Sequence, residues 1–218
     1  LTKSLTPQKA LTIIRGLKEM SNVHKDYQGA KLGMWLFLFT EVLLFGGMFV
    51  LYSVYLSKYP TEYHEAGKEL DAFIGGLNTV VLLISSYFVA LAISFLQRGM
   101  QKKAIMFSYL TIFMALLFLV NKGFEWSAKF HHGIYPNSEH LLTLPKGEII
   151  FFGLYFLMTG LHGLHVIIGG VVISFVIYFM KKGRVNSEDF VMLENAGLYW
   201  HLVDLIWIFL FPLFYLVI

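Results

Sequence analysis

The sequence predicts an all-α polytopic membrane protein, a bundle of five transmembrane helices with a cytoplasmic N-terminus and an external C-terminus. Three observations lead there. Of 218 residues 57% are hydrophobic and only 14% charged, with a mean hydropathy of +0.65, a balance foreign to ordinary soluble domains. Five apolar runs are each long enough to cross a hydrocarbon core of ~30 Å. Lys and Arg gather in alternate connections, as they do on the cytoplasmic side of membrane proteins. The chain contains no cysteine, which excludes disulfides, thiolate metal sites, thiol nucleophiles and Cys-attached haem. Its net charge of +3 is small and dispersed and gives no footprint for nucleic acid.

Residues 1–30 form a basic N-terminal segment without the long apolar core of a secretory signal. Thr6 and Pro7 suit a helix start. Ala10, Ile13, Ile14 and Leu17 then share one helical face beside Lys9, Arg15 and Lys18, a pattern that fits a short interfacial helix as well as a basic tail. Residues 31–218 form the five-helix transmembrane domain. Its apolar runs cover approximately 32–55, 73–97, 104–124, 149–180 and 197–216. The fourth would reach ~48 Å as a helix, so it must tilt or project.

The segment ahead of the first run carries Lys3, Lys9, Arg15, Lys18, Lys25 and Lys31. The second connection carries Arg98, Lys102 and Lys103, and the fourth Lys181, Lys182 and Arg184. These outweigh Lys58, Lys68, Lys122, Lys129 and Lys146, assigned to the opposite side, and place the N-terminus in the cytoplasm. Gly46, Gly47, Gly75, Gly76, Gly160, Gly163, Gly169 and Gly170 suit close helix contacts. Trp35, Trp126 and Trp200 near run ends suit an interfacial aromatic belt.

The first run contains Glu41 near mid-span. An acid there costs on the order of 2.5 to 3.5 kcal/mol on insertion scales, so it must face the protein interior, pair or stay protonated. Such a Glu serves either as an interhelical hydrogen bonder or in a proton, lipid or substrate path. His162 and His165 are three apart on the fourth run, and His201 and Asp204 on the fifth, so each pair shares a helix face. Interhelical hydrogen bonding is the expected use of both pairs. Counted from the run ends, His162 and His165 lie ~22 to 27 Å deep and His201 only ~6 Å deep, levels that one haem cannot join. Two histidines without a third ligand also make a poor metal site. His131, His132 and His140 fall in an external loop and are expected to be solvated.

LGMWLFLFTEVLLFGG, LNTVVLLISS, FFGLYFLMTGLHGLHVIIGG and ENAGLYWHLVDLIWIFLFPLFYL together resemble subunit III of the haem-copper terminal oxidases, over about residues 30–218. The resemblance implies a subunit without redox centres of its own, packed against subunit I, beside subunit II and other oxidase subunits. Haem and copper are then expected in those partners, with bound membrane phospholipid as this chain's own ligand. Glu41 matches the family's membrane-embedded, carbodiimide-reactive glutamate. Glu125 matches the acidic position ending the third run. His162, His165, Glu194, Trp200, His201 and Asp204 match the motif positions of the last two runs. The resemblance further implies lipid holding, protection of subunit I during turnover, and support of proton uptake in aerobic electron transport. None of these residues is expected to be catalytic or metal-binding.

The mitochondrial-type member has seven spans, whereas only a short tail precedes Lys31. Five-span forms resemble bacterial oxidases of both cytochrome c and quinol type, which implies the bacterial inner membrane. A related branch accompanies nitric oxide reductases, and a purely structural scaffold is a further alternative. A secondary transporter is disfavoured, because neither internal repeats nor spans broken at mid-depth are evident.

Overall fold

The structure, a computed structural model, describes residues 26–216; the basic segment before Asp26, with its interfacial-helix reading, lies outside the described residues. Among the described residues seven helices follow in order: α1 Tyr27–Lys58, α2 Pro60–Lys68, α3 Ala72–Gln97, α4 Gln101–His131, α5 Glu139–Thr143, α6 Lys146–Lys181 and α7 Val191–Tyr215. Among the described residues, α1, α3, α4, α6 and α7 are long and apolar enough to cross a membrane. No strand occurs there, as expected where every backbone group in lipid must find its partner within its own segment.

Helix ends follow local chemistry. Asp26 accepts a hydrogen bond from the Gly29 amide at 2.7 Å, and Asp71 accepts from the Phe73 and Ile74 amides at 2.9 and 3.2 Å. Both satisfy amides that a helix start leaves unpaired. Pro60 occupies the first turn of α2, where its missing N–H is no loss. Gly99 and Gly183 stop α3 and α6 with φ of 77° and 71°. After each, the next amide reaches back, Met100 to the Phe95 carbonyl at 2.9 Å and Arg184 to the Phe179 carbonyl at 3.0 Å. That closure needs a left-handed residue, for which glycine carries no steric penalty.

The helices outrun the apolar stretches on both sides. α6, with 36 residues, spans ~54 Å. It projects on the side of α2, where Gly147 packs so closely on Tyr59 and Glu62 that an added Cβ would fall 2.7 Å from each of their Cβ atoms. α2 closes this end with Tyr63, buried among the rings of Tyr52 and Phe151 at 5.2 and 5.3 Å. Burial pushes the Tyr63 phenol well above its usual range.

α3 pairs with α4 along most of its length, and α7 packs on both α3 and α6. α7 is the most buried span and α1 the least. The core is built where α4, α6 and α7 meet, from Phe118, Phe151, Tyr155, Trp207 and Phe214. Gly75 lies beneath Phe211 and Tyr215, and Gly169 beneath Trp200. By contrast a Cβ on Gly46, Gly47, Gly163 or Gly170 would meet nothing within 4 Å, so these glycines make no close contact within the chain.

Two expectations from the sequence are corrected here. Trp200 is not in an interfacial belt: it is fully buried and donates its Nε1–H to the Ser85 hydroxyl at 2.9 Å. Lys122 and Lys129 are not loop charges: both lie within α4 and are buried. Of the remaining basic residues, Lys31, Arg98, Lys102, Lys103, Lys181, Lys182 and Arg184 gather at one end, and Lys58, Lys68 and Lys146 lie at the other. Gln101 bonds the Met180 carbonyl, and Lys31 pairs with Glu194 at 2.7 Å. The first joins the start of α4 to the end of α6, and the second joins the start of α1 to the start of α7.

Candidate functional site

Glu41 and His165 form a polar contact between α1 and α6 near the middle of α1. Glu41 lies ~21 Å into the helix, and its Oε2 sits 2.9 Å from His165 Nε2 on α6. The side chains are 14% and 10% exposed. The other ring nitrogen, Nδ1, lies 2.8 Å from the Leu161 carbonyl. A carbonyl only accepts, so Nδ1 carries a hydrogen, and a neutral ring then leaves Nε2 bare. The contact with Glu41 therefore requires one more proton, either on the carboxyl or on Nε2. One proton is thus shared between Glu41 and His165 near the middle of α1. Phe45 meets the imidazole edge-on at 5.4 Å and Tyr199 stacks on it at 6.4 Å.

A second cluster surrounds Glu125. Lys122 Nζ donates to Glu125 Oε2 at 3.1 Å, to Tyr155 Oη at 2.9 Å and to Tyr215 Oη at 2.6 Å. The Tyr155 and Tyr215 hydroxyls donate in turn to Glu125 Oε1. All three ammonium hydrogens are used, and both carboxylate oxygens accept. The rings of Tyr155, Trp207 and Tyr215 sit 4.8, 5.3 and 5.2 Å from Nζ, so the cation is also caged by aromatic faces. This closed network ties α4 to α6 and α7. One turn further along α4, Lys129 donates to the Glu69 carbonyl.

The remaining predicted residues do not converge. His201 Nδ1 lies 2.6 Å from Ser86 Oγ on α3. Asp204 is 3% exposed; the Ser86 hydroxyl faces it, but neither carboxylate oxygen has a hydrogen bond of ordinary geometry. His162 is fully buried, and neither ring nitrogen has a hydrogen-bond partner; it packs between Phe118 and Trp207 at 5.6 and 5.2 Å. The expected interhelical hydrogen bond thus exists for His165 and His201 and not for His162 or Asp204. Glu194 lies at the basic end, held by Lys31 and, at 3.4 Å, by Gln97.

Residues 14–217 match the family described as cytochrome c oxidase subunit III. The chain belongs to that family. Among curated relatives, cytochrome c oxidase subunit 3 of Thermostichus vulcanus is 32% identical over 88% of this chain and 89% of its own length. A probable quinol oxidase subunit 3 of Staphylococcus saprophyticus is 29% identical over 86% of this chain and 88% of its own. In Aeropyrum pernix a heme-copper oxidase subunit I+III is 30% identical over 84% of this chain, which matches 22% of that longer protein. As a subunit III of a terminal oxidase, the chain is part of an oxidoreductase and a multi-pass membrane protein.

Within the described residues His165 and His201 do not converge on one site. Because α7 starts at Val191, ahead of the apolar run, His201 lies ~15 Å from the helix start but still only ~6 Å into that run, shallower than His165. Direction separates them as well: His165 faces Glu41 on α1, and His201 faces Ser86 on α3. Among the described residues no group of three His, Cys, Asp or Glu is placed to hold a metal.

Proposed function

We propose that the chain is the non-redox subunit III of a respiratory haem-copper oxygen reductase of the cytochrome c oxidase type. It lies in the bacterial inner membrane, N-terminus inside and C-terminus outside, packed against catalytic subunit I with subunit II and other oxidase subunits nearby. Haem and copper belong to those partners, and phospholipid is this chain's own ligand. Its work is to stabilise subunit I during turnover and to support proton uptake. The observation that carries this reading is the Glu41–His165 contact, a proton-holding pair on the least buried span, 2.9 Å between its heavy atoms. The other predicted polar residues, Glu125, His162, Glu194, His201 and Asp204, serve structure and proton-linked positioning. The quinol oxidase relative supports a second reading with the same architecture and a different electron donor.

The test is sustained oxygen consumption by the purified complex. Loss of the subunit is expected to shorten catalytic lifetime several-fold while the initial rate falls much less. Glu41→Gln removes the exchangeable proton but leaves a side chain that still hydrogen-bonds Nε2. It is expected to assemble and then show altered bound lipid or a shortened lifetime. Equal loss of initial rate and lifetime on removing the subunit would count against stabilisation, and wild-type behaviour of the Gln variant would reduce Glu41 to a structural hydrogen bonder.

A further inference from the structure

α1 is the least buried of the five long helices, and few contacts hold it. Its buried side chains, Leu38, Phe45 and Tyr52, recur every second turn and so form one narrow stripe. Glu41 lies on that stripe, between Leu38 and Phe45. Near the start of the helix Lys31 pairs with Glu194 at 2.7 Å, and the Ala30 carbonyl accepts from Asn195 at 3.3 Å. Toward the other end the Tyr52 hydroxyl donates to the Leu213 carbonyl at 2.6 Å. Among the described residues, the Glu41–His165 contact is the one hydrogen bond that ties α1 to another helix along the ~32 Å between Lys31 and Tyr52. Two hollows leave the helix room to shift there. One of 300 Å³ borders Met34 and Phe37, and one of 210 Å³ borders Val42 and Gly46.

We propose that the Glu41–His165 pair is a proton-operated latch for α1, closed while it holds its shared proton and open once that proton leaves. The inference rests on the pair as a proton holder and adds what the proton controls. His165 Nδ1–H is engaged by the Leu161 carbonyl at 2.8 Å. With the shared proton in place, the carboxyl donates to Nε2 or Nε2–H donates to the carboxylate. A second proton leaves the contact intact, because a protonated carboxyl still accepts through its carbonyl oxygen. With no shared proton, a carboxylate faces a bare ring nitrogen, acceptor against acceptor across 2.9 Å, and an unpaired charge in so enclosed a place is costly. The other titratable groups around the pair do not replace the missing hydrogen. Tyr199 on α7 donates to the His165 carbonyl at 3.3 Å, and His162 on α6 has neither ring nitrogen in a hydrogen bond. Among the described residues α1 brings no second titratable side chain to the pair, and Glu41 has no Lys or Arg partner. The ring is boxed by Phe45 and Tyr199 at 5.4 and 6.4 Å, so the carboxylate is the part that moves, and α1 with it. The seat of α1 is therefore secure at low pH and lost as pH rises.

The experiment places a photocrosslinker on α1 in the intact purified complex, as Phe49→p-benzoylphenylalanine, and measures its capture of α7. The Phe49 ring lies 6.2 Å from that of Phe209, two turns from the pair. From about pH 5 to about pH 10 the yield of the α1–α7 product is expected to fall several-fold. Glu41→Gln should hold the yield constant, since its amide N–H donates to the bare Nε2 without a titrating proton. His165→Gln should do the same by donating to the carboxylate, and it carries the test if Glu41→Gln fails to assemble. A yield that does not change with pH overturns the proposal, because the ring then moves its hydrogen to Nε2 and keeps hold of Glu41. A fall in both variants equal to that of the parent also overturns it by placing the pH effect elsewhere. A constant parent yield beside a shortened catalytic lifetime of Glu41→Gln would remove the latch and leave the proposed function standing.

Discussion

The most demanding side chain in the molecule is Lys122. An ammonium taken out of water costs several kcal/mol, recovered only when every hydrogen has a partner. Lys122 meets that condition through Glu125, Tyr155 and Tyr215. Lys122→Met leaves Glu125 buried without its counter-ion, and we expect a loss of about 3 to 5 kcal/mol, read as a lower thermal unfolding midpoint of the complex. Lys122→Met with Glu125→Leu removes both charges and should be markedly less harmful than the single change; equal damage would show that the network is not the stabilising unit. At this scale the sequence was half legible. Glu41, Glu125 and His165 stand out because an acid or imidazole in an apolar run has few alternatives to a function or a partner. Lys122 sits at the polar end of its run and looked like a loop charge. Tyr155 and Tyr215 resemble any aromatic near a membrane surface until the fold turns their hydroxyls inward. Which helix a histidine faces, as with His162 and His201, depends on rotation about the axis, and a nearly uniform apolar surface carries little record of that.

At the level of helices, the five spans were legible because a hydrophobic core of fixed thickness imposes their length. Their ends were not. α7 begins at Val191, ahead of the apolar run, because Glu194 and Asn195 are held by Lys31, Gln97 and the Ala30 carbonyl and so extend the helix with polar residues. The close-contact glycines were likewise a mixed set. Without side chains that exclude water between helices, packing in lipid rests on shape, so the contact at Gly169 can be tested directly. A Cβ there would lie 2.7 Å from Trp200 Cε3, and the indole cannot retreat while it donates to Ser85. Gly169→Leu is expected to separate α6 from α7 and cost about 1 to 3 kcal/mol or more, measured by resistance of the assembled complex to detergent or heat. Gly46→Leu, on an open surface, should leave that resistance unchanged. Equal loss at both positions would argue that helix flexibility, and not the Trp200 contact, sets the requirement.

For the whole molecule, the structure brings the basic ends of α1, α4 and α6 to one side of the bundle. The proposed orientation puts that side in the cytoplasm. Because the chain has no cysteine of its own, a single introduced thiol reports its side without background. Ser187→Cys, in the connection before α7, should react with an impermeant maleimide only in inverted vesicles. Glu139→Cys, at the start of α5, should react only from outside. The opposite pattern would invert the topology and move the overhang of α6 to the cytoplasm.

The Lys122 network also bears on how the chain is made. Its members arrive in the order α4, α6, α7, and the last, Tyr215, is the final residue of α7. Until α7 is made, α4 presents Lys122, Glu125 and Lys129 to the insertion machinery or to lipid without their full set of partners, each a costly guest in hydrocarbon. A nascent chain truncated before α7 therefore carries an exposed ionic patch that full-length protein conceals. Closure of that patch by the last turn of α7 distinguishes the assembled bundle from one that lacks this helix.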